Sequence, residues 1–188
     1  TATRDTIEYP TVSSKMLDNG IGYLRITEFD SVTYDQFASA LEDLEAQGMT
    51  GLVIDLRDNP GGNLDTVCDI LDLILPEGTI VSTKDKNGEG ETYTSDEEHK
   101  LEIPLSVLTN GNSASASEIF AGAVQDYGVG TLVGTTTFGK GIVQQIFPLT
   151  DGTSIKLTIS EYFTPKGRNI HGTGIDPDVE VEYEYNEE

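Results

Sequence analysis

Histidine, cysteine and basic side chains are scarce in this chain, and each scarcity excludes a class of function. The single cysteine, Cys68, cannot form an internal disulfide, and two histidines without spacing such as H-x-x-x-H predict neither a metal nor a cofactor. Eleven lysines and arginines against 33 aspartates and glutamates give a net charge of −22, which disfavours nucleic acid and anionic lipid as partners. No run reaches the ~18 apolar residues of a membrane span.

The composition that remains is typical of one packed domain. With 188 residues, 36% hydrophobic side chains, 20 glycines and 7 prolines, the chain predicts a single α/β or β-rich core over residues 1–188, rich in turns. The first residues, TATRDTIEYP, lack an initiator methionine and the basic and apolar segments of a signal peptide. We therefore expect a processed or truncated chain from which parts of the natural protein are missing.

The first third of the chain predicts a βαβ unit. Residues 21–26 have the pattern of a strand. Thr33-Tyr34-Asp35-Gln36 has the form of a capping box, so a helix is expected to begin there and to end at Gly48. Residues 51–56 are apolar on both faces, as in a central parallel strand that is covered on both sides.

The same reasoning extends to the rest of the chain and predicts a mixed sheet with an added hairpin region. We expect helices over 64–75 and 115–127, strands over 104–109 and 131–133, an exposed hairpin of 80–84 with 91–95, a second hairpin of 142–148 with 154–163, and an acidic edge strand over 179–188. Cys68 lies in the first of these helices among apolar neighbours and is expected to be buried and inert.

Two small-residue turns follow predicted parallel strands, where α/β proteins place their functional groups. Asn59-Pro60-Gly61-Gly62 comes after the strand at 51–56, and residues 112–118 come after the strand at 104–109. Adjacent glycines allow main-chain N–H groups to turn toward a ligand, and a serine at a helix amino end lies beside free N–H donors. These are the components of an oxyanion hole, although Pro-Gly-Gly alone is more often a plain turn.

Serines occupy three alternate positions at the second turn, and their pattern has two interpretations. Ser115-Ala116-Ser117-Glu118 fits a helix capping box, and Asn112 or Ser113 could also cap the helix. A capping hydroxyl is occupied by the N3 amide, whereas a nucleophilic hydroxyl must face a cleft. The position of the Ser115 side chain therefore separates the two interpretations.

A nucleophilic serine needs a base, and the chain offers few. His99 lies in a charged loop and His171 in a glycine-rich turn, so a Ser-His-Asp site is disfavoured. Lys140 is flanked by Gly139 and Gly141 and by apolar residues, and a lysine can act as a base when desolvation lowers its pKa. Gln144, four residues later, could orient the amine, but any nearby carboxylate would keep the amine protonated. A lysine in an exposed turn is the alternative.

Six segments in order resemble the C-terminal processing peptidases, also called tail-specific proteases, which are serine peptidases with a Ser-Lys dyad. The matching segments are 22–26, 52–62, 110–123, 134–144, 162–168 and 174–178. The resemblance implies a crotonase-like or Clp-protease-like α/β core with a mixed, largely parallel sheet. It also implies carboxyl-terminal tails of polypeptides as substrates, an extracytoplasmic location and a homo-oligomer for the full-length protein.

Carried over to this chain, the resemblance implies that Ser115 is the nucleophile, Lys140 the general base and Gln144 the residue that positions the lysine. The family's dyad spacing matches positions 115 and 140. The oxyanion hole would be the N–H groups of Gly61 and Ala116, with Gly62 as the alternative if the turn is shifted by one residue. The PDZ domain and flanking helices that the family usually carries have no counterpart in the sequence.

Two rival functions use the same fold. A catalytically silent relative could hold peptide tails or a lipophilic ligand in the cleft, since fold alone does not determine function. An acyl-CoA enzyme of the crotonase type also uses two main-chain donors, but it would need a pocket for adenine and phosphates, which the scarcity of basic residues disfavours.

Overall fold

The computed structural model describes residues 9–182 except 97 and 99, and its two sheets pack with three helices around one apolar core. The strands are β1 (Val12–Leu17), β2 (Ile21–Ile26), β3 (Gly51–Asp55), β4 (Gly78–Lys84), β5 (Thr92–Ser95), β6 (Leu105–Thr109), β7 (Thr131–Gly134), β8 (Ile142–Pro148), β9 (Ser154–Phe163) and β10 (Val179–Glu180). The helices are α1 (Thr33–Ala46), α2 (Leu64–Asp72) and α3 (Ala116–Tyr127). Among the residues described, no helix is long and apolar enough to cross a membrane.

The larger sheet has six strands in the order β1-β2-β3-β6-β7-β10, and it confirms the predicted α/β class. β2, β3, β6, β7 and β10 are parallel, and β1 joins the sheet as an antiparallel edge strand. Leu52 and Ile54 of β3 are buried, which agrees with its apolar pattern. The parallel order brings the carboxyl ends of β2, β3, β6 and β7 to one edge, where the two small-residue turns of the candidate site begin.

The predicted capping box at the start of α1 is wrong. Helix α1 begins at Thr33 after Val32, and no side chain caps it. The Thr33 hydroxyl accepts the Asp30 N–H at 2.9 Å, and the Gln36 carboxamide accepts the N–H groups of Thr11 and Val12 instead of reaching back to the helix. The capping residues are therefore used to fix the loop and strand β1.

Helices α2 and α3 carry clearer end signals. Asn63 caps α2 by accepting the N–H groups of Asp65 and Thr66, and Gly128 ends α3 in the left-handed conformation. Cys68 of α2 is buried as expected, and burial raises its pKa to about 12, with a further contribution from nearby aspartates. Nearly every residue of α3 is buried, because this helix packs against α2, β4 and β7.

The smaller sheet has the order β5-β4-β9-β8, and all of its pairs are antiparallel. The predicted hairpin of β4 with β5 forms, but the expectation that it is exposed is wrong, because β4 packs on α2 and α3 and buries Ile80 and Val81 in the core. The end of β4 also pairs with β9. The predicted hairpin of β8 with β9 is confirmed and leaves β8 as a free edge strand. The predicted carboxyl-terminal edge strand is confirmed at 179–180, and residues 183–188 lie outside the described part.

Candidate active site

The turns that follow β3 and β6 are joined to each other by main-chain and side-chain hydrogen bonds. Ala114 N–H donates to the carbonyl oxygen of Asn59 at 3.0 Å, and Asp58 N–H donates to the Asn110 carboxamide at 3.0 Å. Because β3 and β6 are parallel neighbours, their carboxyl ends place these turns side by side. The glycine pair and the serine-rich turn therefore form one rigid unit.

Asn59 is the centre of that unit, and the sequence analysis did not single it out. Its side chain is fully buried, donates to the carbonyl oxygen of Ile26 at 3.0 Å and accepts the Gly61 N–H at 2.8 Å. Its carbonyl oxygen also accepts the Ser117 hydroxyl at 3.0 Å. Asparagine after a buried strand and before Pro-Gly-Gly was the available signal, since a short amide side chain can bond its own turn.

The two glycines differ in what their N–H groups do. Gly61 N–H is already bonded to Asn59, whereas within the described residues no acceptor is assigned to the N–H groups of Gly62 and Ala116. Gly61 and Gly62 have φ of +100° and +146°, which a side chain would disfavour. Of the two predicted glycine donors, Gly62 is the one with a free N–H.

A cavity of about 520 Å³ is lined by every residue that the sequence analysis proposed for catalysis. Its walls include Gly61, Gly62, Ser115, Ala116, Lys140 and Gln144. Tyr162 closes one side, and Glu28 and Lys156 are the charged residues that line it besides Lys140. The structure thus brings together residues as far apart in the chain as Glu28 and Tyr162.

Ser115 adopts a conformation that favours the nucleophile interpretation over the cap. Its φ and ψ are +57° and −113°, a strained region for a residue with a side chain. The Glu118 side of the capping box is formed, since Glu118 Oε2 accepts the Ser115 N–H at 2.9 Å. The Ser115 side chain faces the Glu118 N–H as in a capping box, but that N–H donates to the Ser115 carbonyl oxygen at 2.9 Å, and the half-buried hydroxyl has no assigned hydrogen bond among the described residues.

The neighbouring serines have structural roles instead. The buried Ser113 hydroxyl donates to the carbonyl oxygen of Leu56 at 2.8 Å, and the buried Ser117 hydroxyl bonds Asn59. Of the three serines, Ser115 is the one that lines the cavity. His171 is exposed and outside the cavity walls, and His99 lies outside the described residues.

Glu118 connects Ser115 to the segment that carries Lys140, a role that its capping pattern alone did not indicate. The side chain is fully buried, and its Oε2 accepts the N–H groups of Ser115 and Lys140 at 2.9 and 2.8 Å. Its Oε1 accepts the Gly139 N–H at 2.6 Å and the Thr137 hydroxyl at 2.7 Å. Four donors thus hold one carboxylate and fix the distance between the two main-chain segments.

Tyr162, on β9 of the smaller sheet, forms a hydrogen bond with the main chain of Ser115. Its hydroxyl donates to the Ser115 carbonyl oxygen at 3.1 Å, and the ring is buried. Burial raises the pKa of the Tyr162 phenol well above its usual value, and the nearby Glu118 carboxylate raises it further. The phenol therefore stays a neutral hydrogen-bond donor rather than a base.

The side chains of Lys140 and Gln144 are less constrained than their main chain. Lys140 is half-buried, and within the described residues its amine has neither an ion pair nor a hydrogen bond to Ser115. Gln144 is exposed on β8 and donates to the Thr158 hydroxyl at 3.3 Å. The structure places the three predicted residues in one cleft but does not connect Gln144 to the lysine.

Substitution of Gly62 by alanine should lower the free energy of unfolding by about 3 kcal/mol or more. A methyl group there would collide with the main-chain carbonyl of Phe29 and would force an alanine to φ +146°. Urea unfolding measures the loss. Gly88→Ala is the matched control, because Gly88 also has positive φ but open space, and it should cost about 1–2 kcal/mol. Equal losses in the two variants would show that the close approach to Phe29 contributes nothing.

Comparison with known sequences finds relatives along most of the chain. Residues 20–181 match the family model described as Peptidase family S41. A carboxyl-terminal-processing protease from Synechocystis sp. is 45% identical over 186 residues, which cover 97% of this chain and 44% of the relative. The carboxy-terminal processing protease CtpB of Bacillus subtilis is 42% identical over 168 residues, covering 89% of this chain and 35% of that protein.

Comparison with solved structures agrees with the sequence matches. A photosystem II D1 C-terminal processing protease is similar with a TM-score of 0.84 and 32% sequence identity, covering 96% of this chain and 50% of that one. The chain therefore spans half or less of the length of these three relatives.

Proposed function

Because the chain belongs to peptidase family S41, we propose that it forms the hydrolytic core of a serine peptidase that cuts polypeptides near their carboxyl termini. The observation that carries the proposal is the cleft itself. One cavity is lined by a serine with strained main-chain geometry and by a lysine that has no carboxylate partner among the described residues. The same cavity is lined by two residues whose N–H groups have no assigned acceptor within the described part of the chain. A binding protein would have no need for this combination.

In the proposed mechanism the neutral amine of Lys140 removes the Ser115 hydroxyl proton as Oγ attacks the carbonyl carbon of the substrate. The oxyanion that forms is bound by the N–H groups of Gly62 and Ala116, and each such donor is worth about 2.7–4 kcal/mol of barrier. The lysine then passes its proton to the leaving amine, and the C–N bond breaks. Water repeats the sequence on the acyl-enzyme and releases a new carboxyl terminus.

The two side chains of the dyad must approach each other before this can happen. The main chain is already set by Glu118, so we propose that rotation of the Lys140 side chain toward Ser115 completes the site. Gln144 would follow by exchanging its bond to Thr158 for one to the amine. Substrate binding, or the part of the full-length protein that this chain does not include, would drive the change.

The substrate is proposed to bind as an extended strand. β8 is a free edge strand, and its residues Ile142, Val143 and Gln144 line the catalytic cavity. A peptide that pairs with this edge would gain main-chain hydrogen bonds whatever its sequence. The names of the carboxyl-terminal processing relatives support polypeptide carboxyl termini as the site of cleavage. The extracytoplasmic location is proposed from the family resemblance.

The proposed activity can be tested with a fluorescently labelled, unstructured peptide and the full-length protein. We expect cleavage close to the carboxyl end and, after acid quenching, a peptide ester on the Ser115 fragment in mass spectrometry. Saturable binding without turnover would instead establish the silent binding module. Cleavage with an acyl group on another residue would overturn the assignment of the nucleophile.

A further inference from the structure

A second cavity, which shares no wall residue with the catalytic cleft, lies at the carboxyl edge of the six-stranded sheet. Its volume is about 360 Å³, and its walls come from the ends of β2, β3, β6 and β7 and from the residues after β10. Ligands of parallel α/β sheets commonly bind outside this edge. None of the catalytic residues proposed above uses this cavity.

Arg25 is the feature of this cavity that the fold leaves unexplained. It lines the cavity, its Nε is buried without an acceptor, and among the described residues it has no ion pair. Arg57 and Arg168, by contrast, are each paired with a carboxylate, Asp55 and Asp126. In a chain with 33 acidic residues, a half-buried arginine without an ion pair among the described residues is available for an external carboxylate.

The acidic residues of the cavity do not replace that missing partner. Asp58 accepts the amide N–H groups of Asn110 and Asn112, each at 2.9 Å, and these bonds lower its pKa. Glu182 is exposed at the rim. Neither carboxylate forms an ion pair with Arg25 within the described part of the chain.

The Arg57 guanidinium beside this cavity is already paired with a carboxylate of the protein. It donates to both carboxylate oxygens of Asp55, at 2.9 and 2.7 Å, and Tyr23 also donates to Asp55 at 2.7 Å. Burial would raise the pKa of Asp55, but the bonds from Arg57 and Tyr23 outweigh it, so the pKa is lowered. Arg57 therefore lines the cavity as part of a fixed ion pair, whereas Arg25 has no ion pair among the described residues, although its charge contributes to the lowered pKa of Asp58.

The rest of the wall is apolar or neutral. Leu108, Val133 and Val181 supply aliphatic surface, and Thr109 and Thr135 supply hydroxyl groups. At about 30 Å³ per water-sized group, the cavity holds on the order of a dozen non-hydrogen atoms, which is one or two amino-acid residues. A ligand that matches these walls has one carboxylate and a small aliphatic group next to it.

We propose that this cavity binds the carboxyl-terminal residue of a peptide chain, with its α-carboxylate on the outer edge of the Arg25 guanidinium and an aliphatic side chain against Leu108 and Val133. A guanidinium and a carboxylate form paired, charge-assisted hydrogen bonds. Because Nε is enclosed by protein atoms, the two terminal nitrogens make the contact. The site is separate from the hydrolytic cleft and does not depend on hydrolysis.

The test uses ¹⁵N-labelled Ser115→Ala protein, so that binding is measured without cleavage. The probes are acetyl-Ala-Ala-Val with a free carboxylate, the same peptide as its amide, and acetyl-Ala-Glu-Ala amide, which carries a side-chain carboxylate instead. We expect the free peptide to shift the Arg25 Nε–H signal and the amide signals of residues 133–135, and the amide to bind at least about tenfold more weakly. Arg25→Gln should weaken the free peptide similarly, and Lys86→Gln, in an exposed loop, should leave it unchanged.

Each alternative result is decisive. Equal affinity of the free and amidated peptides, or signals that shift at 61, 62 and 116 alone, would overturn the site. Preference for acetyl-Ala-Glu-Ala amide would overturn the chain-end assignment and establish a side-chain carboxylate as the ligand. The comparison of free and amidated peptides on the Arg25 protein stands even if Arg25→Gln fails to fold.

Discussion

Replacing Lys140 with alanine should reduce peptide cleavage by about 10²–10⁴-fold while leaving the protein folded, because a general base contributes a factor of that size. The Lys140 side chain makes no ion pair among the described residues, so its removal costs little stability. Cleavage of the labelled peptide gives kcat/KM, and urea unfolding checks the fold.

Two further variants make this prediction specific to proton transfer. Lys140→Arg keeps a long cationic side chain but cannot be deprotonated, so it should be as inactive as the alanine variant. Ser115→Ala combined with Lys140→Ala should be no worse than Ser115→Ala alone, because the two groups act as a unit. Lys86→Ala, in an exposed loop, is the matched control. An active Lys140→Arg enzyme would show that the lysine supplies charge rather than a base.

The fold was largely predictable because its core strands are apolar on both faces. β3 and β6 were placed within a residue of their observed ends, since continuous aliphatic runs between small-residue turns have few other solutions. The family resemblance, drawn from six segments, is confirmed by the match to peptidase family S41 over residues 20–181. The hairpin of β4 and β5 was misjudged because its burial comes from packing on α2 and α3, and α3 begins more than 30 residues after β4 ends.

Local patterns failed where a side chain serves a distant partner. Thr33 and Gln36 matched a capping box, but both side chains form hydrogen bonds with Thr11, which lies more than 20 residues earlier in the chain. A local sequence pattern cannot predict such a partner. Glu118 also matched a capping box, and here the local hydrogen bond to Ser115 forms. Its other three donors, however, lie in residues 137–140, about 20 residues later in the chain. Asn59 was missed because its partners Ile26 and Ser117 lie on other elements.

The sequence also could not predict which glycine of Pro-Gly-Gly has a free N–H group. Both glycines of Pro-Gly-Gly could supply an oxyanion donor, and spacing alone could not choose between them. The choice depends on the Asn59 carboxamide, which takes the Gly61 N–H at 2.8 Å. A side chain two residues earlier thus determines which donor stays available for the proposed oxyanion.

The Glu118 network predicts that Glu118→Gln will lower both the stability and the activity of the protein, although the substitution is nearly isosteric. An amide presents one oxygen and one NH₂ group, so two of the four donors that face the carboxylate would meet another donor. Each buried donor left without an acceptor costs about 1–3 kcal/mol, so we expect a loss of about 2–5 kcal/mol in urea unfolding. Glu118→Ala leaves all four donors unsatisfied, and it should lose more and fold poorly.

The kcat of folded Glu118→Gln protein separates a positioning role for Glu118 from a purely structural one. At a temperature where Glu118→Gln remains native, we expect kcat to fall at least tenfold with KM nearly unchanged, because Ser115 and Lys140 lose their fixed separation. Glu45→Gln, an exposed acid on α1, is the matched control and should change neither stability nor rate. Full kcat in folded Glu118→Gln protein would mean that the carboxylate holds the fold together but does not align the proposed dyad.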